Sequence, residues 1–371
     1  MPDKADLRQK QSLPLSAKIL MSQHRIREWY EHWDGNVYVS FSGGKDSTVL
    51  AYIVHDLYPN VPLVFCNTGL EYPEIQAFAK RMGAEFIRPK MSFSEVISTY
   101  GYPLIGKEVA QTIAAARVIR KDGDHVKFTN QKRQELQGLR DKGSLPGFSL
   151  FNKQKWIQLC NETQFNISDR CCYALKKSPF KIYEHKNNVY SIVGTLTEES
   201  RMREQLWMRH GCNSYDGKRK TSQPLSFWLE QDILKYIHDN RIEIASVYGD
   251  IVSVDKDGYE YDPLPGMDCT YKCTGCQRSG CIFCAFGEHL ERTETKFQKL
   301  AKTHPRQYEY CMNGGQWVDN PNYDPTAPEY DGRWKNWNPK KIWTPSKKGL
   351  GMKKVFDDCN EIYGKDFIRY E

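Results

Sequence analysis

The stretch Val37-Tyr-Val-Ser-Phe-Ser-Gly-Gly-Lys-Asp-Ser-Thr-Val-Leu50 decides the fold. An apolar, β-branched run ends at Phe41. Ser42-Gly43-Gly44 then makes a turn, and Asp46-Ser47-Thr48 opens the apolar-periodic segment Val49 to Val54, which reads as a helix. A strand, a glycine turn and a helix N-terminus in succession form a cradle for phosphate. The glycines let backbone N–H groups approach an anion, the unpaired N–H groups of the first helical turn point at it, and Lys45 adds a full positive charge. Candidate ligand contacts are therefore Ser40, Ser42, Gly43, Gly44, Lys45, Asp46 and Ser47. The four variable residues that separate the glycines of a Walker A loop are missing, so the loop is of another kind.

Working outward, residues 16–33 carry apolar positions at helical spacing and read as a leading amphipathic helix that covers a sheet. Val61 to Cys66 reads as a second buried strand ending at Asn67-Thr68-Gly69, Ile75 to Met82 as a helix, and Ala84 to Ile87 as a short third strand. This rhythm predicts an α/β fold, a doubly wound, mostly parallel sheet with ligand outside the carboxyl ends of its strands. Asn67 and Thr68 fall at that edge, as do Gly194, Arg201 and Arg203 after a fourth strand at Val189 to Gly194. Planar guanidinium donors at such a place suit phosphate or sulfate, and either arginine could instead pair with Glu198 or Glu199.

The remainder is less regular. Val109 to Ile119 looks helical, and residues 121–155 form a polar, net positive stretch that reads as an insertion: a solvated surface in the first place, otherwise a lid or a contact for a macromolecule such as nucleic acid. Pro224 to Ile237 reads as an amphipathic helix with proline at its start. Residues 244–248 and 251–254 read as extended, and Pro263-Leu-Pro-Gly266 as a boundary. One or two helices follow between 293 and 312, and the tail from Asn313 reads as loop-rich, anchored by Trp317, Trp334, Trp337 and Trp343. The expected organisation is a helical segment (1–34), a nucleotide-binding domain (35–265) with an insertion at 103–168, a cysteine-rich metal-binding segment (266–290) and a helical, loop-rich C-terminal region (291–371).

A net charge of +7 over 371 residues decides nothing about nucleic acid. No run of eighteen apolar residues occurs and the N-terminus is polar, so a cytoplasmic protein without a membrane segment is expected. Twelve cysteines without a secretory signal argue against a disulfide framework and towards metal or redox use. Two groups stand out: the adjacent pair Cys171-Cys172, and the run Cys269, Cys273, Cys276, Cys281, Cys284. Adjacent cysteines suit a multi-iron cluster, in which each iron takes its own thiolate, whereas the second group alone could supply the four ligands of Zn2+.

Taken together, Ser42-Gly-Gly-Lys-Asp-Ser47, Arg170-Cys-Cys-Tyr-Ala-Leu-Lys-Lys-Ser-Pro179, Gly194 to Arg203, Pro224 to Tyr236 and Gly280-Cys-Ile-Phe-Cys-Ala-Phe-Gly287 resemble the phosphoadenosine phosphosulfate reductase family. This family belongs to the PP-loop, adenine nucleotide alpha-hydrolase-like superfamily, and the resemblance is to its iron–sulfur type. It implies an adenine nucleotide, ATP or a sulfonucleotide, with Lys45, Asp46 and Arg201 in catalytic roles and Asp46 a candidate for Mg2+. It also implies a 4Fe–4S cluster on Cys171, Cys172, Cys281 and Cys284, with Cys276 as a substitute ligand and Cys269 and Cys273 as a second site.

One departure matters. The reductases carry a Glu-Cys-Gly motif whose cysteine attacks the sulfonucleotide; no such motif occurs here, and no cysteine follows Cys359. Three expectations result: sulfur reduction or transfer from a sulfonucleotide with a thiol or sulfur donor protein; ATP-dependent sulfur modification of tRNA or DNA with release of pyrophosphate; or a non-catalytic nucleotide sensor.

Overall fold

In the computed structural model the described residues are 3–117, 153–216, 220–255, 257–261, 269–326 and 337–371. The expected insertion at 121–155 lies outside them except for its last three positions, as do the boundary at 263–266 and Trp334. The chain forms two compact units, one of Met1–Pro89 with Ser178–Cys281, the other of Lys90–Lys177 with Ile282–Glu371. Each is therefore built from two separated stretches of sequence.

The first unit is organised on β1 (Val37–Phe41), which pairs in parallel with β2 (Leu63–Cys66), Val39 opposite Leu63. Next to β2 lies β3 (Glu85–Ile87), also parallel. β4 (Leu104–Ile105) belongs to the second unit. On the other side of β1 stands β5 (Tyr190–Val193), Val37 opposite Tyr190, and beyond it come β6 (Asn213–Ser214) and β7 (Thr221–Ser222). The order is β3-β2-β1-β5-β7-β6, and only the β6–β7 pair is antiparallel. Val37, Tyr38, Val39 and Phe41 are all buried, as a central parallel strand covered on both faces requires. The helix Lys45–Leu57 buries Val49, Leu50, Ala51, Ile53 and Val54, and the helix Leu15–His32 buries Ile26 and Trp29. β8 (Ile251–Val254) and β9 (Thr270–Cys273) form a separate antiparallel pair in this unit.

The helix expected from Pro224 starts later, at Glu230, and runs to Asp239. Before it, Leu225, Phe227 and Trp228 are fully buried in a turn; Trp228 Nε1 donates to Ser22 Oγ and Ser22 Oγ donates to the Pro224 carbonyl. Packing of three apolar residues on the leading helix outweighs the proline start signal, and Asp232 takes the capping role by accepting from Leu229 N at 2.7 Å.

In the second unit β4 pairs in parallel with β10 (Ala285–Phe286), which joins the stretch after Lys90 to the C-terminal stretch. The tail is more regular than its composition suggests. β11 (Gln316–Asp319) and β12 (Lys341–Thr344) form an antiparallel pair, and a helix spans Met352–Tyr363. That helix places Met352, Val355, Phe356 and Cys359, at successive i, i+3, i+4 and i+7 positions, wholly out of solvent. Phe356 meets Phe297 edge-on at 5.0 Å between ring centroids. Phe356→Ala is expected to cost about 3–5 kcal/mol in this unit, whereas the exposed Lys347→Ala stays within about 0.5 kcal/mol; urea melts of both variants check this.

Candidate functional site

The cradle is shaped by backbone demands at two glycines. Gly43 has φ +70°, and a Cβ there would meet Ile75 Cγ2 at 2.8 Å, so the turn after β1 needs glycine on both counts. Gly194, at the end of β5, would bring a Cβ to 2.8 Å from the Asp46 carbonyl oxygen; its bare backbone lets β5 close on the loop. Gly44 is the N-cap of the helix Lys45–Leu57 and offers no side-chain cap. Ser42 and Ser47 tie the loop together: their hydroxyls lie 3.0 Å apart, and Ser47 Oγ donates to the Gly44 carbonyl at 2.9 Å.

Lys45 is only 6 % exposed. Its ammonium lies 3.2 Å from Glu230 Oε1 and 3.5 Å from Cys273 Sγ, and 5.7 Å from the centre of the Tyr248 ring. Tyr248 in turn shares a 2.8 Å hydrogen bond with Ser279 Oγ. Burial raises the Asp46 carboxyl above its usual range; Lys45 pulls it down, Glu230 pushes it up, and Arg278 and Arg203 pull it down. Glu198, which accepts from Glu230 N, is likewise raised, first by burial. Burial lowers the Arg203 guanidinium, which pairs with Glu199 while lying in the field of Asp46. Arg278 reaches the other oxygen of Glu199 at 3.9 Å.

Of the residues predicted from sequence, Ser42, Gly43, Gly44, Lys45, Asp46, Ser47, Gly194 and Arg203 thus fall in one neighbourhood. Arg201 is exposed at the start of the helix Arg201–His210, and Ser40 is half-buried within β1. Asn67 and Thr68 shape their own turn: Gly69 N donates to Asn67 Oδ1 at 3.1 Å, and Thr68 Oγ1 donates to Glu71 Oε1 at 2.6 Å. Glu230, Tyr248 and Arg278 join the site without having been expected there. Glu230 opens a helix and Tyr248 closes a single 3-10 turn, Ser246–Tyr248, where the sequence suggests an extended stretch over 244–248; neither carries a sequence signal for a distant loop.

All twelve cysteines are thiols rather than disulfides. Cys171 is buried, and Cys172 opens a π-helical stretch, Cys172–Lys177, a distortion frequent at functional sites. The Cys172 thiol is pulled down to about 6, chiefly by its hydrogen bond with Cys171 and then by Lys107 and Lys176, against burial. Cys281 closes the first unit, whereas Cys171, Cys172 and Cys284 belong to the second. Among the described residues no three side chains of His, Cys, Asp or Glu gather as the ligands of a metal would. Two thiols of the second cysteine group lie near local polar atoms: Cys276 Sγ is 2.9 Å from the Arg278 carbonyl and Cys269 Sγ 4.0 Å from Ser253 Oγ. The arrangement therefore does not display a cage for an iron–sulfur cluster or Zn2+, and no chemical step is assigned to one. Burial pushes the Cys273 thiol up, with Lys45 acting in the opposite sense.

Comparison with known proteins gives a consistent family. Residues 36–144 and 149–285 match the model of the phosphoadenosine phosphosulfate reductase domain. Sulfate adenylyltransferase subunit 2 of Salmonella arizonae is 25% identical over 232 residues, 61% of this chain and 64% of that protein. Sulfate adenylyltransferase subunit 2 1 of Chromohalobacter salexigens is 26% identical over 238 residues, with the same coverage of 61% and 64%. The chain thus spans slightly less than two thirds of the length of these relatives. A crystal structure of phosphoadenylyl-sulfate reductase from Candida auris aligns at 12% identity with a TM-score of 0.35, over 66% of this chain and 91% of that one.

The Lys45–Glu230 pair makes an opposed prediction. Lys45→Met, which retains the buried aliphatic stem, should weaken ATP binding about tenfold or more by removing a charge-assisted contact of about 1.5–3 kcal/mol. Glu230→Gln should instead tighten it, because the ammonium is released from a competing carboxylate. Equilibrium dialysis with labelled ATP reads both; loss of binding in both variants would show that Glu230 positions the lysine rather than competing for it.

Proposed function

The chain belongs to the phosphoadenosine phosphosulfate reductase family of PP-loop enzymes, and we propose that it binds an adenine nucleotide in the cradle and acts on a sulfonucleotide in sulfur reduction or transfer. The observation that carries this reading is the buried Lys45 ammonium at the N-terminus of the helix Lys45–Leu57, directly after the left-handed Gly43. A buried cation beside unpaired N–H groups of a helix start is complementary to a phosphate or sulfate anion. Lys45 and the loop N–H groups would take up negative charge as a bond to the leaving nucleotide breaks. Arg203 and Arg278, both drawn to Glu199, offer further planar donors close enough to act on Asp46.

A second reading is adenylyl transfer from ATP, and the relatives named as sulfate adenylyltransferase subunit 2 favour it. In it Lys45 grips the departing pyrophosphate. Asp46 is then the carboxylate available to Mg2+, an ion commonly held by one or two carboxylates together with substrate phosphates. The acceptor would be sulfate or an oxygen of tRNA or DNA, and a companion subunit or a thiol or sulfur donor protein would complete the system. Loss of turnover with retention of binding would leave a nucleotide sensor. Among the described residues no helix is long and apolar enough to cross a membrane.

A nucleotide panel separates these readings. Sulfite released from phosphoadenylyl sulfate in the presence of a thiol reductant supports the first; pyrophosphate released from ATP only with sulfate or nucleic acid present supports the second; binding without either product supports the sensor. The set Cys171, Cys172, Cys281 and Cys284 is tested on its own. Iron and acid-labile sulfide in equal amounts in anaerobically purified protein, both lost in Cys172→Ser, would support the 4Fe–4S reading of the sequence, while colourless protein with stoichiometric zinc overturns it.

A further inference from the structure

A cavity of about 310 Å³ lies in the first unit, lined from the leading helix Leu15–His32, from the far end of the helix Arg201–His210 and from β6. None of the residues that shape the cradle is among those lining it. Trp207 stands about one turn beyond Arg203, so the helix that brings an arginine towards the cradle at its start presents an indole to the cavity further on. Met21, Trp207, Tyr215 and Phe227 give the cavity aromatic and thioether walls. Such walls take a flat apolar body, and the volume, at the lower end of what small-molecule sites occupy, suits one or two fused rings.

The polar groups of this corner are out of balance. Among the described residues lining the cavity, Lys10 and Arg25 are the lysine and arginine cations and Glu28 is the one carboxylate. Glu28 is already engaged: Arg25 Nη1 donates to it at 2.7 Å, His24 Nε2 lies 3.3 Å from its other oxygen, and Asn213 Nδ2 approaches at 3.5 Å. Lys10 closes the helix Lys4–Gln11 with its ammonium 5.8 Å from the centre of the Trp207 ring, and among the described residues it has no carboxylate partner. The Trp207 side chain is 3 % exposed, and its Nε1–H has no acceptor. Trp29, whose ring centre lies 5.2 Å from that of Tyr215, leaves its Nε1–H unmatched in the same way. A buried donor without an acceptor leaves its desolvation uncompensated. What the corner lacks is therefore an acceptor that is also an anion.

We infer that this cavity is a second ligand site, for a small aromatic carboxylate: the ring packs among Met21, Tyr215 and Phe227, and the two carboxylate oxygens meet the Lys10 ammonium and the Trp207 indole N–H. The site is separate from the nucleotide cradle and does not depend on the reaction carried out there.

The test uses indole-3-acetate as the probe, with indole-3-acetamide and tryptamine as its neutral and cationic counterparts on the same ring, each titrated onto full-length protein and followed by saturation-transfer NMR. The expected order is the acetate first, the acetamide about tenfold weaker for want of the charge, and no transfer to tryptamine. Trp207→Phe, which keeps an aromatic ring and removes the N–H, and Lys10→Gln should each weaken indole-3-acetate about tenfold. Lys45→Met, in the cradle, should leave its binding unchanged. Lys10 is half-exposed, so its variant decides the matter if Trp207→Phe does not fold. Equal affinity for the three compounds, full binding by Lys10→Gln, or loss of binding in Lys45→Met overturns the assignment. So does the absence of transfer to any of the three, the result expected if ordered water alone satisfies the indole.

Discussion

A lysine ammonium withdrawn from water at a helix N-terminus is placed where the helix dipole already repels it, and the first unit is arranged to hold it there. Glu230 supplies the counter-charge, so the position of the helix Glu230–Asp239 becomes critical. That helix is fixed by a second buried lysine. Lys18 is 2 % exposed and pairs with Asp232 at 2.6 Å, and Asp232 also caps the helix through Leu229 N. Trp228, buried just before the helix, is tied to Ser22 on the same leading helix as Lys18. The leading helix therefore does more than cover the sheet: through Asp232 and Trp228 it sets where Glu230 meets Lys45.

The same economy explains the charge pattern around the loop. Asp46 and Glu198 are both buried enough that their carboxyls are raised, which means the folded state binds their protons more tightly than the unfolded chain does. Ionising them thus opposes folding increasingly as pH climbs through that raised range. Lys45, Arg203 and Arg278 moderate the cost at Asp46. An excess of cations gathered for an anionic ligand and a set of carboxylates gathered to hold those cations are two sides of one arrangement; neither would be stable at this depth alone.

Local patterns were legible where period and turn chemistry agree. β1, the Gly43-Gly44 turn and the helix after it could be read because apolar alternation gives way to helical spacing across two glycines, and β2, β3 and β5 follow the same logic. The start of the helix at Glu230 was misread because Pro224 is a local signal, while the burial of Leu225, Phe227 and Trp228 depends on a helix two hundred residues earlier. The helix Met352–Tyr363 was missed although Met352, Val355, Phe356 and Cys359 carry its period, since the aromatic and lysine-rich surroundings hid a short stripe. The division into two units was not visible, because each unit is assembled from two separated stretches of sequence; the β4–β10 pair that helps join the stretches of the second is two residues long and has no period to detect.

At the site the contrast is sharper. The loop itself was legible because its residues are consecutive, but Glu230, Tyr248, Cys273 and Arg278 reach it from four separate places, and what brings them there is packing rather than motif. Cys273 shows the difference. Its spacing to Cys269 and Cys276 suggested ligands for a metal, a reading that treats cysteines as a group. The fold separates their roles, because β9 alternates: Tyr271 and Cys273 are buried on one face while Lys272 lies on the other, and the strand ends as it reaches Lys45. Cys276, beyond the bend, is turned to a half-exposed position by the backbone bonds to residues 247–250. One sulfur thus meets the Lys45 ammonium and the other the Arg278 carbonyl, a difference that spacing alone does not encode.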